Sequence, residues 1–275
     1  MRSAVRQWVH LVVCAGFLVV TTFISAESIR VRHTEGLVHG FLVLRTLEGT
    51  TIADGDLTEV ANGENVTAHL IFRFKDGSSH EETTVFSQAR QFRLLEYHLI
   101  QKGQIFPHQQ ETWIDTRKGE IKIRYSDREG KEKSDDEKLQ LPVDLANGIT
   151  LTLLKNILPD ESEVTVTMLA ATPKPRLVNL IITNGGREIF SIGSSRRKAI
   201  RYDVNVKIGG VAGWLARLTG KVPPTTHVWI LEGEAPAFVK SEGPLCMECP
   251  IWKIELASPV WPPAAGERRE QSIQK

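Results

Sequence analysis

From Leu37 onward the chain runs in short β-branched and aromatic stretches, each punctuated by a turn signal, which is the pattern of a meandering antiparallel sheet. The clearest unit is Val66 to Phe74, which Asp76-Gly77 turns into Glu82 to Phe86; an Asp-Gly pair between two alternating runs is a strong hairpin signal. Leu37 to Leu47 precedes it and ends at Glu48-Gly49. Phe92 to Gln101, Gln109 to Asp115 and Glu120 to Tyr125 follow, the last two joined by Arg117-Lys118-Gly119. Asp54-Gly55-Asp56 reads as a turn, and the charged stretch Asp127 to Lys138 as a solvated loop. Strands paired with their neighbours in this way form a sheet whose faces need cover.

The segment from Pro142 to Leu158 is the expected cover. Pro142 suits a first helical turn, Asp144 complements the helix dipole, and Pro159 closes the element. Leu145, Ile149, Leu153 and Ile157 fall on one line, and Ala146, Leu154 and Leu158 widen it until little polar face is left. Asn147-Gly148 counts against a helix, since both residues form helices poorly. The expected fold is mainly β: a large curved antiparallel sheet or incomplete β-barrel packed on one central apolar helix over about residues 143–158.

Strands then resume at Glu163 to Ala171, Arg176 to Thr183, Glu188 to Ile192, Ala199 to Ile208, His227 to Glu232, Ala237 to Lys240 and Trp252 to Leu256. Asn184-Gly185-Gly186 reads as a turn between the second and third of these. Val211 to Leu218 fits either a short amphipathic helix or an irregular strand pair. Residues 27–258 therefore read as one β-rich domain. Pro259 to Lys275, with three prolines and no apolar period, reads as a disordered tail.

Residues 1–26 read as an export signal. Arg2 and Arg6 precede the apolar run Trp8 to Ile24, and Ser25-Ala26 supplies a cleavage site before Glu27. A retained membrane anchor is the alternative. Export implies a periplasmic or secreted protein. The whole chain carries 34 basic and 33 acidic side chains, so no general electrostatic pull toward nucleic acid is expected. Outside the signal the cysteines are Cys246 and Cys249. In an oxidising compartment this Cys-x-x-Cys pair closes a small structural disulfide, the reading we expect. A redox dithiol lacks a following helix to lower a thiolate pKa, and a zinc site lacks a second Cys pair.

Several segments carry a resemblance: Phe72-Arg73-Phe74-Lys75-Asp76-Gly77-Ser78, Leu139 to Ile157, Ala170-Ala171-Thr172-Pro173-Lys174-Pro175, Val228-Trp229-Ile230-Leu231 and Gly233 to Lys240. In these the chain resembles an uncharacterised family of exported bacterial proteins. More distantly, its layout is similar to periplasmic proteins with the incomplete barrel of lipoprotein carriers. The first resemblance implies no catalytic residue. The second implies a cupped sheet able to hold acyl chains.

The search for catalytic constellations is mostly negative. Gly193-Ser194-Ser195-Arg196 lacks the second glycine of a nucleophile elbow, and Gly209-Gly210-Val211-Ala212-Gly213 lacks the lysine of a phosphate loop. The histidines at 33, 39, 69, 80, 98, 108 and 227 show no metal-ligand spacing, and no metal or cofactor is expected. Glu81 and Glu82 beside His80 read as hairpin surface. The leading expectation is a protein without catalytic residues that holds a lipid or other hydrophobic ligand, lined by Leu145, Ile149, Leu153, Leu154 and Trp229. Arg196, Arg197 and Lys198 form the basic patch for a headgroup. One alternative is a fully packed core with an envelope protein partner. The other is an envelope hydrolase gathering His33, His39 or His98 with an acid.

Overall fold

The computed structural model describes residues 28–126, 130–171, 175–192, 195–209 and 222–257. The expected signal peptide, Val211–Leu218 and the expected tail from Pro259 lie outside the described residues, as does Ser194. Among the described residues fourteen strands follow one another: β1 (Leu37–Arg45), β2 (Thr51–Asn62), β3 (Asn65–Phe74), β4 (Ser79–Gln88), β5 (Phe92–Lys102), β6 (Gln110–Asp115), β7 (Glu120–Ser126), β8 (Glu132–Lys138), β9 (Glu163–Ala170), β10 (Arg176–Ile192), β11 (Ser195–Lys207), β12 (Thr226–Leu231), β13 (Ala237–Pro244) and β14 (Ile251–Leu256). One short helix, α1 (Thr150–Leu154), lies between β8 and β9.

All fourteen strands belong to one antiparallel sheet, in the order β8 to β1, then β14 to β9. Two meanders are thus joined where β1 meets β14, with Leu42 opposite Leu256 and Leu44 opposite Ile254. The sheet is not closed into a barrel: β8 and β9 are its two edges. β8 is a row of charged side chains, mostly exposed, a composition that discourages pairing with another chain. The expected hairpin at Asp76-Gly77 is present, and the Asp76 carboxylate accepts hydrogen bonds from the Ser78 N–H and hydroxyl.

The long central helix is not. Over residues 143–158 the chain is helical only at Thr150–Leu154. The cause lies in the polar residues before it. The Asp144 carboxylate accepts from the backbone N–H and the hydroxyl of Thr167, Ala146 N–H donates to the Thr167 carbonyl, and the Asn147 amide exchanges hydrogen bonds with both backbone groups of Leu169. These residues serve the free edge of β9 instead of a helix N-terminus. Because Leu139 N–H also donates to Gly119 on the other side, residues 139–149 form a strap between the two edge regions. Gly148, at φ +71°, then turns the strap into α1.

Three further expectations are corrected. Asp54-Gly55-Asp56 is not a turn but the middle of β2, where a Cβ on Gly55 would overlap the Phe72 ring and stand 2.9 Å from Leu42. Asn184-Gly185-Gly186 is an irregularity within the single strand β10, not a break between two strands. Within the stretch read as a loop, residues 132–138 pair with β7 as β8.

Buried side chains on the concave face fall into two clusters. One gathers Phe86, Phe92, Tyr97, Ile114 and Ile121 around Leu145, Ile149, Leu153 and Leu154. The other gathers Leu44, Phe72, Phe74 and Trp252 beneath the Phe106 loop and the Cys246–Cys249 loop. The Cys246 and Cys249 sulfurs lie at disulfide distance, with Cα atoms 5.1 Å apart. Since the ring is small, reducing it should cost only about 2 kcal/mol. A melt with and without reductant checks this; loss of folding on reduction would mean the loop holds the second cluster together.

Candidate ligand-binding site

The registers place a belt between the two clusters. Leu57, Leu70, Glu82, Leu99 and Thr112 stand directly opposite one another across β2 to β6. The belt points inward, because Glu82 lies between buried His80 and Thr84 at strand period two. On the β5–β6 side it is closed, Leu99 and Thr112 being buried. On the β2–β4 side Leu57, Leu70 and Glu82 keep accessible surface, as do Phe238 and Leu256 from the opposing meander. Phe238 touches both clusters, whereas Leu57, Leu70 and Leu256 pack against the second. Here the concave wall is apolar, reachable, and broken by one carboxyl.

Glu82 accepts a hydrogen bond of 3.0 Å from the Tyr97 hydroxyl. Burial raises its pKa from the usual carboxyl range, the Tyr97 hydrogen bond opposing this, and the Tyr97 phenol is itself pushed up by burial and by Glu82. One row toward the helix end, Glu59 shares a buried cluster with Lys155 and Glu35. The Lys155 ammonium contacts Glu35 and stands 3.9 Å from Glu59 Oε2. Desolvation is the main cause that raises the Glu59 pKa to about 7, Lys155 opposing it and Glu35 adding to it. One row the other way, His80 is 2% exposed; its Nδ1 meets the Gln101 amide at 3.0 Å, and burial lowers its pKa to about 4. His80 and Glu82 are therefore interior groups, against their reading as hairpin surface, while Glu81 faces outward.

The residues singled out from sequence do not converge. Leu145, Ile149, Leu153 and Leu154 are at most 3% exposed and fill the first cluster, so none offers surface to a ligand. Trp229 faces the other side of the sheet, packed with Ala199, Leu231 and Val239 under the Lys240 ammonium, 4.0 Å from its ring. Arg196, Arg197 and Lys198 stand opposite Ser191, Phe190 and Ile189 near the β10–β11 turn, on a different element from the belt. Sequence reasoning missed Glu59, Glu82 and Tyr97. The only signal for Glu59 and Glu82 was a carboxylate at an inward-phase position of a strand, and Tyr97 read as an ordinary strand residue.

The outer face carries a separate alignment. His39, Thr58, His69, Thr83, His98, Trp113 and Lys122 are successive opposite partners across β1 to β7. His39 meets Asp56 at 3.1 Å and His98 meets Glu111 at 3.2 Å, but two strands, β3 and β4, lie between the two pairs, so His39 and His98 do not come together. His33 instead donates its backbone N–H to Asn156. A groove of about 630 Å³ crosses this face over His98 and Trp113. Its carboxylates are already engaged, Glu96 by Arg117, Asp115 by Lys118 and Glu120 by Lys138, as expected of a solvated sheet face. Among the described residues no group of three or more His, Cys, Asp or Glu could hold a metal ion.

No family model and no curated protein matches the sequence. Among solved structures, the chain is similar to a crystal structure of a beta-barrel-like protein of domain of unknown function DUF1849 from Brucella abortus. The two are 10% identical; the match covers 86% of this chain and 100% of that one, with a TM-score of 0.42. A likeness at this level carries no argument about the site.

Proposed function

We propose that this is an exported envelope protein that binds a hydrophobic ligand on the concave side of its sheet, and that it works as a binding protein and not as a catalyst. The observation that carries the reading is the accessible row of Leu57, Leu70 and Glu82, with Phe238 and Leu256 of the opposing meander also keeping surface. Apolar side chains pointing inward in a sheet of this size are ordinarily covered, and a mostly apolar recess with a single polar group is how small-molecule sites are built. An acyl chain, as the resemblance to lipoprotein carriers implies, is the finer form of the proposal. The buried face of α1 favours the packed-core alternative for the helix end only.

The test is native mass spectrometry on protein exported to a periplasm and purified without detergent, followed by organic extraction. A stoichiometric apolar adduct is the expected result. Leu70→Trp, which fills the belt, should abolish that adduct while shifting the melting temperature by only a few degrees. A clean apo mass that persists after incubation with lipid extract would overturn the reading and return weight to a partner-binding surface.

A further inference from the structure

We propose that the ligand of this interior is an amphipathic amine, its apolar chain against Leu57, Leu70 and Phe238 and its ammonium group paired with Glu82. The inference rests on the reading of the belt as a ligand site and adds the chemistry of the polar end.

Glu82 differs from the neighbouring interior carboxylates in lacking a cation. Glu35 and Glu59 share Lys155, whereas among the described residues no Lys, Arg or His forms an ion pair with Glu82. Its opposite neighbours are Leu70 and Leu99, and Tyr97 supplies one hydrogen bond. A carboxylate with this surrounding is costly to ionise, because one neutral hydrogen bond does not replace its hydration. Two states relieve the cost: the carboxyl stays protonated, or a cation enters beside it. Glu82 keeps accessible surface while the groups next to it on β4, His80 and Thr84, do not. The accessible group is therefore the one that needs a counter-charge. An ammonium meets that need through charge-assisted hydrogen bonds, which a hydroxyl supplies only weakly and a fatty acid carboxylate opposes by like charge.

The experiment compares dodecylamine, dodecanol and dodecanoic acid, each below its micellar concentration, by isothermal titration of the mature protein at neutral pH. Dodecylamine should bind at least about tenfold more tightly than dodecanol, and dodecanoic acid most weakly. Glu82→Gln should erase the advantage of the amine and leave dodecanol binding intact; if that variant does not fold, Glu82→Leu, which removes the buried charge outright, gives the same readout. Amine and alcohol binding equally, with no change in Glu82→Gln, would overturn the amine assignment and leave the interior site standing. Failure of all three to bind would overturn the interior site itself.

Discussion

Replacing Gly148 by alanine should cost about 3 kcal/mol or more, measured by urea denaturation at neutral pH. Two penalties act together. The backbone there sits at φ +71°, a region that charges an L-residue roughly 1–2 kcal/mol. A new Cβ would also overlap the Thr84 hydroxyl and stand 2.9 Å from the Tyr97 ring, and overpacking a filled core costs about 1–3 kcal/mol. Thr84 is 1% exposed and Tyr97 7%, so neither can swing aside. Since Gly148 sits where the strap turns into α1, the damage should spread to both. A Gly148→Ala variant whose midpoint and slope match the wild type would show that the strap is loose, contrary to its hydrogen bonds with β9.

That position also shows what the sequence discloses and what it hides. Period-two alternation made most of the strands legible, because a sheet with one buried face writes its register into the hydrophobic pattern. It failed where polar residues had tertiary work. Asp144 looks like a helix-start residue and Asn147 only like a weak point in that helix, yet both side chains satisfy the open edge of β9, a partner that exists only once the sheet has curled. Gly55 looks like a turn residue because nothing local tells that Phe72 will lie across it. β8 is too charged to read as a strand, and its charge belongs to its place at the edge. The candidate site was hidden for a related reason. Glu59 and Glu82 are single carboxylates in alternating strands, the usual mark of a solvated face. Curvature, which local sequence does not encode, turns that face inward, and α1 with the two loops then closes over it.

Lys155→Met should destabilise the protein by about 3–5 kcal/mol at pH 8 and by less at pH 4, because it strips the cation from buried carboxylates. The side chains of Lys155, Glu35 and Glu59 are 14%, 9% and 7% exposed, so water cannot screen the loss. The sign follows from Glu59. Its pKa rises from 4.5 to about 7 on folding, so the folded state holds that proton more tightly than the unfolded chain. The stability this contributes is fully present below pH 4.5 and is lost as pH rises toward 7, on the order of 3 kcal/mol in all. Lys155 is the influence that lowers the Glu59 pKa, so its removal moves the end of that decline above pH 7 and widens the gap between variant and wild type as pH climbs. Below pH 4.5, with Glu59 protonated in both proteins, the part of the gap owed to Glu59 should close. Glu59→Gln should flatten the stability profile between pH 5 and 8 and remove most of the pH dependence of Lys155→Met in the double variant. Urea unfolding at pH 4, 6 and 8 decides the matter. Parallel profiles for wild type and Lys155→Met would mean that the lysine acts through the packing of its stem and not through its charge.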